Sequence, residues 1–147
     1  MVEGIKDKVA VIGMGCTRFG ELWDMSGPDL MVDAYKECME DAGIEKKDID
    51  AAWWSALYPM QGLSAIQLSQ TLKLPYIPVT HVENLCASAT EAMRGAAYAL
   101  ASRCCDVALC IGVEKLKDVG YGGLPDLRPP QEQYWAANAS GPGTYAM

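Results

Sequence analysis

The chain has 147 residues, half of them hydrophobic, and a formal net charge of −7 at pH 7. This length supports one ordinary domain with a hydrophobic core, and this hydrophobic content excludes a disordered chain. The twelve Lys and Arg residues are scattered, which argues against nucleic acid or an anionic membrane as a partner. The opening MVEGIKDKVAVIG has no long apolar run. We therefore expect no export signal, no membrane span and a cytoplasmic location.

The first predicted strand is Lys8–Met14, a nearly continuous β-branched run that is typical of a strand buried on both faces. The first predicted helix follows Ser26, which resembles the N-cap of a capping box closed by Asp29. Apolar residues then recur at helical spacing as far as Ala42, and Gly43 is a natural stop.

Three further strands and two further helices are predicted along the chain. The strands are Ile49–Leu57, Pro78–Asn84 and Val107–Gly112, and the helices are Ser64–Leu72 and Cys86–Arg103. Strands that alternate with helices predict an α/β fold with a mostly parallel sheet. From Lys117 onward the chain is dense in glycine and proline, which predicts a long loop or the start of an inserted region.

Gly13-Met14-Gly15 resembles the start of a dinucleotide-binding fingerprint, but Arg18 occupies the position of its third glycine. The next helix begins only after Ser26, too far along the chain to face a pyrophosphate. We therefore interpret these glycines as a turn at the exit of the first strand.

The chain contains six cysteines: Cys16, Cys38, Cys86, Cys104, Cys105 and Cys110. Disulfides are not expected without an export signal. A metal site is not expected either, because no C-x-x-C pair occurs and His81 is the only histidine. We expect most of these thiols, Cys38 and Cys110 in particular, to be small buried hydrophobic residues.

Cys86 lies at the junction of a predicted strand and a predicted helix. A helix N-terminus favours the thiolate, and its N–H groups can stabilise an oxyanion. The small residues Ala87, Ser88 and Ala89 leave room for a substrate. From these residues alone, a nucleophile and a structural cysteine are both open interpretations, and so is a pairing of Cys86 with His81.

The segment Asn84-Leu85-Cys86-Ala87-Ser88-Ala89 resembles the N-x-C-A-S-G segment that holds the acyl-accepting cysteine of the thiolase superfamily. Cys105–Leu116 resembles the strand and G-x-E-x-M/L segment that follow in those enzymes. The opening VAVIGMGCTRFGE is similar to the branch of sterol-carrier-protein thiolases and archaeal acetyl-CoA acetyltransferases. Ala89 departs from the usual glycine, which leaves the shape of the pocket open.

The resemblance implies a thiolase-like N-terminal α/β half over residues 1–116, with a mostly parallel sheet and helices on both faces. Residues 117–147 would begin an inserted loop region and be truncated. Cys86 would take an acyl group from acyl-CoA as a thioester, or attack a 3-oxoacyl-CoA, with coenzyme A thioester as substrate and no tightly bound cofactor. The histidine and second cysteine of such sites lie in the other half, so we expect an inactive fragment or half of a split enzyme.

The resemblance further implies a homo-oligomer that assembles through the strand before the cysteine, Val79 to Glu83, and a small partner with a zinc ribbon and an OB-fold. Two alternatives stay open. One is a thiolase-like aldolase or lyase that cleaves a β-hydroxyacyl-CoA with other residues. The other is a non-catalytic scaffold subunit. The sequence leaves the acyl chain, the CoA-binding side chains and the direction of the reaction open.

Overall fold

The structure is a computed structural model that describes residues 4–56 and 65–119. The helices are Gly27–Ala42 (α1), Ile66–Leu72 (α2) and Ser88–Ala101 (α3), and the strands are Ala51–Ser55 (β1), Val79–Val82 (β2) and Ala108–Gly112 (β3). Short 3₁₀ turns cover Lys46–Asp48, Leu85–Ala87 and Leu116–Val119. Within the described ranges, no helix is both long enough and apolar enough to cross a membrane.

The chain divides into two compact units, Met1–Lys115 and Leu116–Met147. The first unit contains the helices and strands named above. Of the second unit, only residues 116–119 are described. Residues 120–147 of the inserted region expected at 117–147 therefore lie outside the described residues, and this region stays a prediction.

Helix α1 begins at the capping box that the sequence predicts. The Ser26 hydroxyl accepts the backbone N–H of Asp29 at 3.2 Å, and the Asp29 carboxylate accepts the backbone N–H of Ser26 at 2.8 Å. Hydrogen bonds from the hydroxyl and the backbone of Ser26 hold the pKa of Asp29 below its usual value. The helix ends at Gly43, whose φ of 66° lies in the left-handed region and whose N–H donates to Met39 at 3.0 Å. Both predicted boundaries are confirmed.

The three strands form one parallel sheet in the order β2–β1–β3. The central strand β1 places Ala52 opposite Val79 on one side and opposite Leu109 on the other. Parallel neighbours require crossover connections, which here contain α2 and α3. The prediction of an α/β fold with a mostly parallel sheet is confirmed. Leu57 and Ser64, predicted ends of a strand and a helix, lie outside the described residues.

Helices cover both faces of the sheet. On one face Trp54 is fully buried, in the same core cluster as Met31 of α1 and Leu68 of α2. On the other face the indole of Trp53 lies against Gly95 of α3. Because side chains alternate along a strand, neighbouring residues of β1 pack into two different layers.

The prediction that Lys8–Met14 is a strand buried on both faces is wrong. The segment belongs to no strand of the described sheet, and Met14 is 72 % exposed. Helix α1 satisfies part of its backbone instead: the N–H of Met14 donates to Asp41 at 2.8 Å, and the N–H of Cys16 donates to Glu37 at 2.9 Å. Carboxylates of a helix therefore supply hydrogen bonds that a neighbouring strand would otherwise supply.

Gly13 and Gly15 allow this segment to approach α1 closely. A Cβ atom at position 13 would lie 2.6 Å from Cβ of Ala42, and one at position 15 would lie 2.2 Å from the carbonyl oxygen of Ala34. Neither glycine has a positive φ, and neither lies in a turn. The interpretation of these glycines as a strand-exit turn is therefore wrong, because they are required by contact with the helix.

Candidate active site

Cys86 lies on the connection from β2 to α3, as the sequence predicts. It belongs to the 3₁₀ turn Leu85–Ala87, directly before α3, and it is exposed. The helix begins at Ser88, so the predicted helix start at Cys86 is corrected by two residues. Because the strands are parallel, this turn follows the carboxyl end of β2, the usual position of ligands in open α/β sheets.

The residue before Cys86 has a strained backbone. Leu85 has a φ of 48°, in the left-handed region, which costs a residue with a Cβ atom roughly 1–2 kcal/mol. Its side chain is half exposed, so burial of the leucine does not impose this conformation. Such strain persists only where the surroundings hold it. The hydrogen bonds around the turn supply that restraint.

Two side chains bond to the backbone of this turn. The Ser88 hydroxyl accepts the N–H of Asn84 and donates to the carbonyl of Leu85, both at 2.7 Å. The Glu83 carboxylate accepts the N–H of Leu85. A backbone hydrogen bond from Ala87 to the carbonyl of Asn84, at 2.9 Å, closes the turn. The thiol therefore projects from a turn whose preceding backbone groups are hydrogen-bonded.

Ser88 is anchored on the buried side of α3. It is 6 % exposed, and the buried residues Ala92 and Ala96 follow it at the four-residue spacing of one helix face. The turn is thus tied to the helix that packs on the sheet. Ala87 and Ala89 are exposed on either side of Ser88, and their small side chains leave the thiol accessible.

The sequence analysis did not identify the hydrogen bonds of Ser88 and Glu83 to this turn. The signal for Ser88 was present, because a serine at the start of a helix commonly bonds back to the preceding backbone. The bond of Ser88 to the carbonyl of Leu85 also depends on the left-handed conformation of Leu85. A leucine does not indicate that conformation, which is uncommon for any residue with a Cβ atom.

The side chain of His81 packs against a core residue of the sheet. It lies opposite Trp54 in the register of β2 and β1, with the two ring centroids 4.7 Å apart. Its Nε2 lies 3.1 Å from the carbonyl oxygen of Ala56. Among the described residues no hydrogen bond joins the imidazole to Cys86. The structure thus does not bring together the Cys–His pair that the sequence left open.

Other cysteines differ from Cys86 in their surroundings. Burial raises the pKa of Cys38 and of Cys105, and it raises the pKa of Cys110 to about 11. As a residue on the outer strand β3, Cys110 is exposed, yet its sulfur lies 3.7 Å from the carbonyl oxygen of Ala92. Cys38 is half-buried. The expectation that most of the thiols are buried is therefore wrong, because four of the six cysteines are exposed and Cys38 and Cys105 are only half-buried. The raised pKa values nevertheless make Cys38, Cys105 and Cys110 poor nucleophiles.

The other candidate binding features lie apart from Cys86. A cleft of about 420 Å³ is lined by charged and apolar side chains of the segment before α1 and of α1 itself: Thr17, Arg18, Leu22, Asp24, Met25, Asp33 and Glu37. In residues 4–56 and 65–119, no group of three or more His, Cys, Asp or Glu side chains could hold a metal ion. The chemistry available at the site is therefore that of an accessible thiol in a fixed turn.

Comparisons with known proteins give a consistent result. A model of the thiolase N-terminal domain matches residues 9–139. The chain is 37 % identical over 145 residues to an acetyl-CoA acetyltransferase of Methanothermobacter thermautotrophicus, covering 95 % of this chain and 38 % of the relative. It is 39 % identical over 145 residues to an acetyl-CoA acetyltransferase of Methanocaldococcus jannaschii, covering 95 % and 37 %. The chain thus spans well under half the length of these relatives.

Solved structures share the fold. An acetyl-CoA acetyltransferase from Syntrophomonas wolfei aligns with a TM-score of 0.60 and 24 % identity, over 67 % of this chain and 27 % of that chain. A 3-oxoacyl-[acyl-carrier-protein] synthase III from Aquifex aeolicus aligns with a TM-score of 0.56 and 19 % identity, over 65 % and 32 %. The fold found here is therefore shared with parts of these two larger proteins.

Proposed function

Because the chain belongs to the thiolase family, we propose that it carries the acyl-accepting part of an acyl-CoA C-acyltransferase, with Cys86 as the nucleophile. The observation that carries this proposal is the exposed thiol in the strained turn Leu85–Ala87, at the carboxyl end of β2. The relatives named acetyl-CoA acetyltransferases support a coenzyme A thioester as the substrate. No tightly bound cofactor is part of the proposal.

In the proposed step, the thiolate of Cys86 attacks the carbonyl carbon of acyl-CoA. A bond forms between the sulfur of Cys86 and that carbon, and the bond from the carbon to the sulfur of coenzyme A breaks. The departing thiolate takes up the proton that Cys86 gave up. The N-cap residue of α3 is Ala87, whose side chain cannot cap the helix. Backbone N–H groups at this helix start are suited to stabilise the oxyanion of the step.

Transfer of the acyl group to a second substrate needs an acid and a base. The only histidine, His81, lies within hydrogen-bond distance of the carbonyl of Ala56. We therefore propose that the acid and base come from outside the described residues or from a second polypeptide. Residues 4–56 and 65–119 alone are expected to accept an acyl group without completing the transfer.

The test is the acyl adduct itself. The natural polypeptide that carries this sequence is incubated with acetyl-CoA, digested and measured by mass spectrometry. We expect the peptide that contains Cys86 to gain the mass of one acetyl group. Cys86→Ala is expected to abolish the adduct, whereas Cys104→Ala, which removes another exposed thiol, is expected to leave it unchanged.

An adduct that persists in Cys86→Ala, or the absence of any adduct in the unmodified protein, would contradict the proposal. The aldolase and scaffold alternatives then become distinguishable. Cleavage of a β-hydroxyacyl-CoA that survives Cys86→Ser favours the lyase. Failure to turn over any acyl-CoA, with stable binding of a partner protein retained, favours the scaffold.

The outer strand β2 is the proposed contact of a homodimer. It pairs with β1 on one side, and in the described sheet no strand pairs with its other side. An unpaired strand edge is a ready template for a second copy of the same strand. Thr80 is exposed on β2, so Thr80→Lys would place like charges together and is expected to give a monomer in light scattering. A dimer that persists would contradict this contact.

The small zinc-ribbon and OB-fold partner stays a proposal from the family resemblance, to be tested by co-purification.

A further inference from the structure

We propose that Ser88 is a positioning residue for Cys86, because its buried hydroxyl holds the strained turn from which the thiol projects. The proposal rests on the proposed function, since it gives Ser88 a part in the acylation of Cys86. It assigns no direct contact between Ser88 and the substrate. The argument depends on the backbone of Leu85, on both hydrogen bonds of the hydroxyl and on the burial of Ser88.

The hydroxyl of Ser88 bonds to both sides of the strained residue. It accepts the N–H of Asn84 and donates to the carbonyl of Leu85, both at 2.7 Å. A hydroxyl has one proton to donate, so this arrangement uses that proton while a lone pair accepts the amide. Since the φ of Leu85 is 48°, loss of these bonds would release a conformation that a leucine does not otherwise prefer.

Relaxation of Leu85 would move the thiol. The peptide unit after Leu85 leads directly into Cys86, so a change of φ at Leu85 rotates the thiol relative to the first turn of α3. Acyl transfer requires the sulfur, the carbonyl carbon and the oxyanion donors to be aligned. A misplacement of about 1 Å reduces the rate of such a reaction on the order of 100-fold.

The position of Ser88 distinguishes it from Glu83, the other side chain that bonds to the turn. Glu83 is exposed, so water competes for the N–H of Leu85. Ser88 is 6 % exposed, and water does not replace its hydroxyl as easily. Ser88 also belongs to α3, which packs on the sheet. Glu83 belongs to no helix and directly follows β2. Ser88 is therefore the stronger of the two restraints.

The experiment compares Ser88→Ala with Ser88→Thr in the natural polypeptide. Ser88→Ala removes the hydroxyl, and Ser88→Thr retains it. Thr90→Ala is the matched control, because it removes an exposed hydroxyl from the same turn of α3. The rate of acetylation of Cys86 is measured by mass spectrometry over a range of acetyl-CoA concentrations, and alkylation of Cys86 by iodoacetamide is measured in parallel.

We expect Ser88→Ala to slow acetylation on the order of 100-fold at saturating acetyl-CoA, with little change in the concentration that gives half the maximal rate. Ser88→Thr is expected to recover most of the rate, and Thr90→Ala to match the unmodified protein. Alkylation by iodoacetamide is expected to change little in all three variants, because that reagent does not need alignment with oxyanion donors.

Acetylation of Ser88→Ala at the unmodified rate would overturn the proposal. So would equal losses in Ser88→Ala and in a folded Ser88→Thr, because the hydroxyl would then be irrelevant. A parallel loss of acetylation and alkylation would also overturn it, since Ser88 would then act on thiol reactivity in general. If the unmodified protein itself gains no acetyl group, the proposed function fails, and that outcome is distinct from a failure of Ser88 alone.

Discussion

Asp50 and Val107 are joined by two hydrogen bonds. The backbone N–H of Asp50 donates to the carbonyl of Val107 at 3.0 Å, and the Asp50 carboxylate accepts the N–H of Val107 at 3.0 Å. The same carboxylate accepts the N–H of Asp106 at 2.9 Å. These bonds lie directly before the first register pair of β1 and β3, Ala51 with Ala108. One carboxylate therefore aligns the starts of two strands that are distant in sequence.

Replacement of this carboxylate should make the protein less stable, and the effect should depend on pH. Hydrogen bonds from Val107 and Asp106 hold the pKa of Asp50 below its ordinary value of 3.8. A carboxylate with a lowered pKa stabilises the folded protein fully at pH values above its ordinary pKa. That stabilisation is lost as the pH falls through the lower pKa of the folded state. We expect Asp50→Asn to lower the urea midpoint at neutral pH, and the difference from the unmodified protein to shrink in acid.

The control for this prediction is Asp33→Asn, which neutralises an exposed carboxylate on α1. It is expected to leave the urea midpoint nearly unchanged at neutral pH. A difference between Asp50→Asn and the unmodified protein that stays constant from neutral pH to acid would contradict the assignment to the charged carboxylate.

Gly15→Ala should detach the N-terminal segment from α1. The added Cβ atom would lie 2.2 Å from the carbonyl oxygen of Ala34 and 2.5 Å from the backbone nitrogen of Cys38. Backbone atoms of a helix cannot move aside, so we expect a loss of about 2 kcal/mol or more in the free energy of unfolding. Gly4→Ala is the control, because a Cβ atom there meets no heavy atom within 4 Å. Equal stability of the two variants would refute the close contact.

Gly95→Ala should destabilise α3 although alanine is the better helix former by about 1 kcal/mol. The added Cβ atom would lie 2.8 Å from Nε1 and 3.1 Å from Cδ1 of Trp53. Overpacking of this kind costs about 1–3 kcal/mol, which exceeds or cancels the gain in helix preference. Unfolding by urea, followed by circular dichroism, measures the change.

A double-mutant cycle isolates the cause of the Gly95→Ala effect. Trp53→Leu removes the indole that the new methyl group would meet. In the Trp53→Leu background we expect Gly95→Ala to be neutral or stabilising, so the two changes should be strongly coupled. Additive effects would indicate that the indole is not the obstacle.

Lys73→Gly should stabilise the protein. Lys73 ends α2 with a φ of 50°, in the left-handed region, and its side chain is exposed. Glycine adopts this conformation without the strain of a Cβ atom, so we expect a gain of about 0.5–1 kcal/mol in the free energy of unfolding. Lys73→Ala, which removes the charge and keeps the strain, is the matched control and should give no such gain. Equal gains in both variants would point to the charge instead.

Local signals in the sequence predicted the local features of this fold. Ser26, Asp29 and Gly43 mark both ends of α1, because caps depend on residues within one turn of the helix end. The cores of the three strands were likewise predicted, as short segments that alternate with the helices. These features need no information from distant parts of the chain.

Features that depend on distant residues were not predictable in the same way. The run Lys8–Met14 has the composition of a buried strand, but strand pairing requires a neighbour, and here Asp41 and Glu37 of α1 bond to this segment. In the candidate site, the position of Cys86 followed from the pattern of the segment. The restraint by Ser88 did not, because it requires the left-handed backbone of Leu85.

The strand order β2–β1–β3 has a consequence for the rate of folding. The central strand β1 comes first in the sequence, but α2, β2 and α3 separate it from its partner β3. Sheets closed by partners distant in sequence fold slowly, because the intervening chain must be ordered before the contact forms. The turn with Cys86 lies in that intervening chain. Its final geometry is therefore expected to be reached late in folding, when β3 docks beside β1.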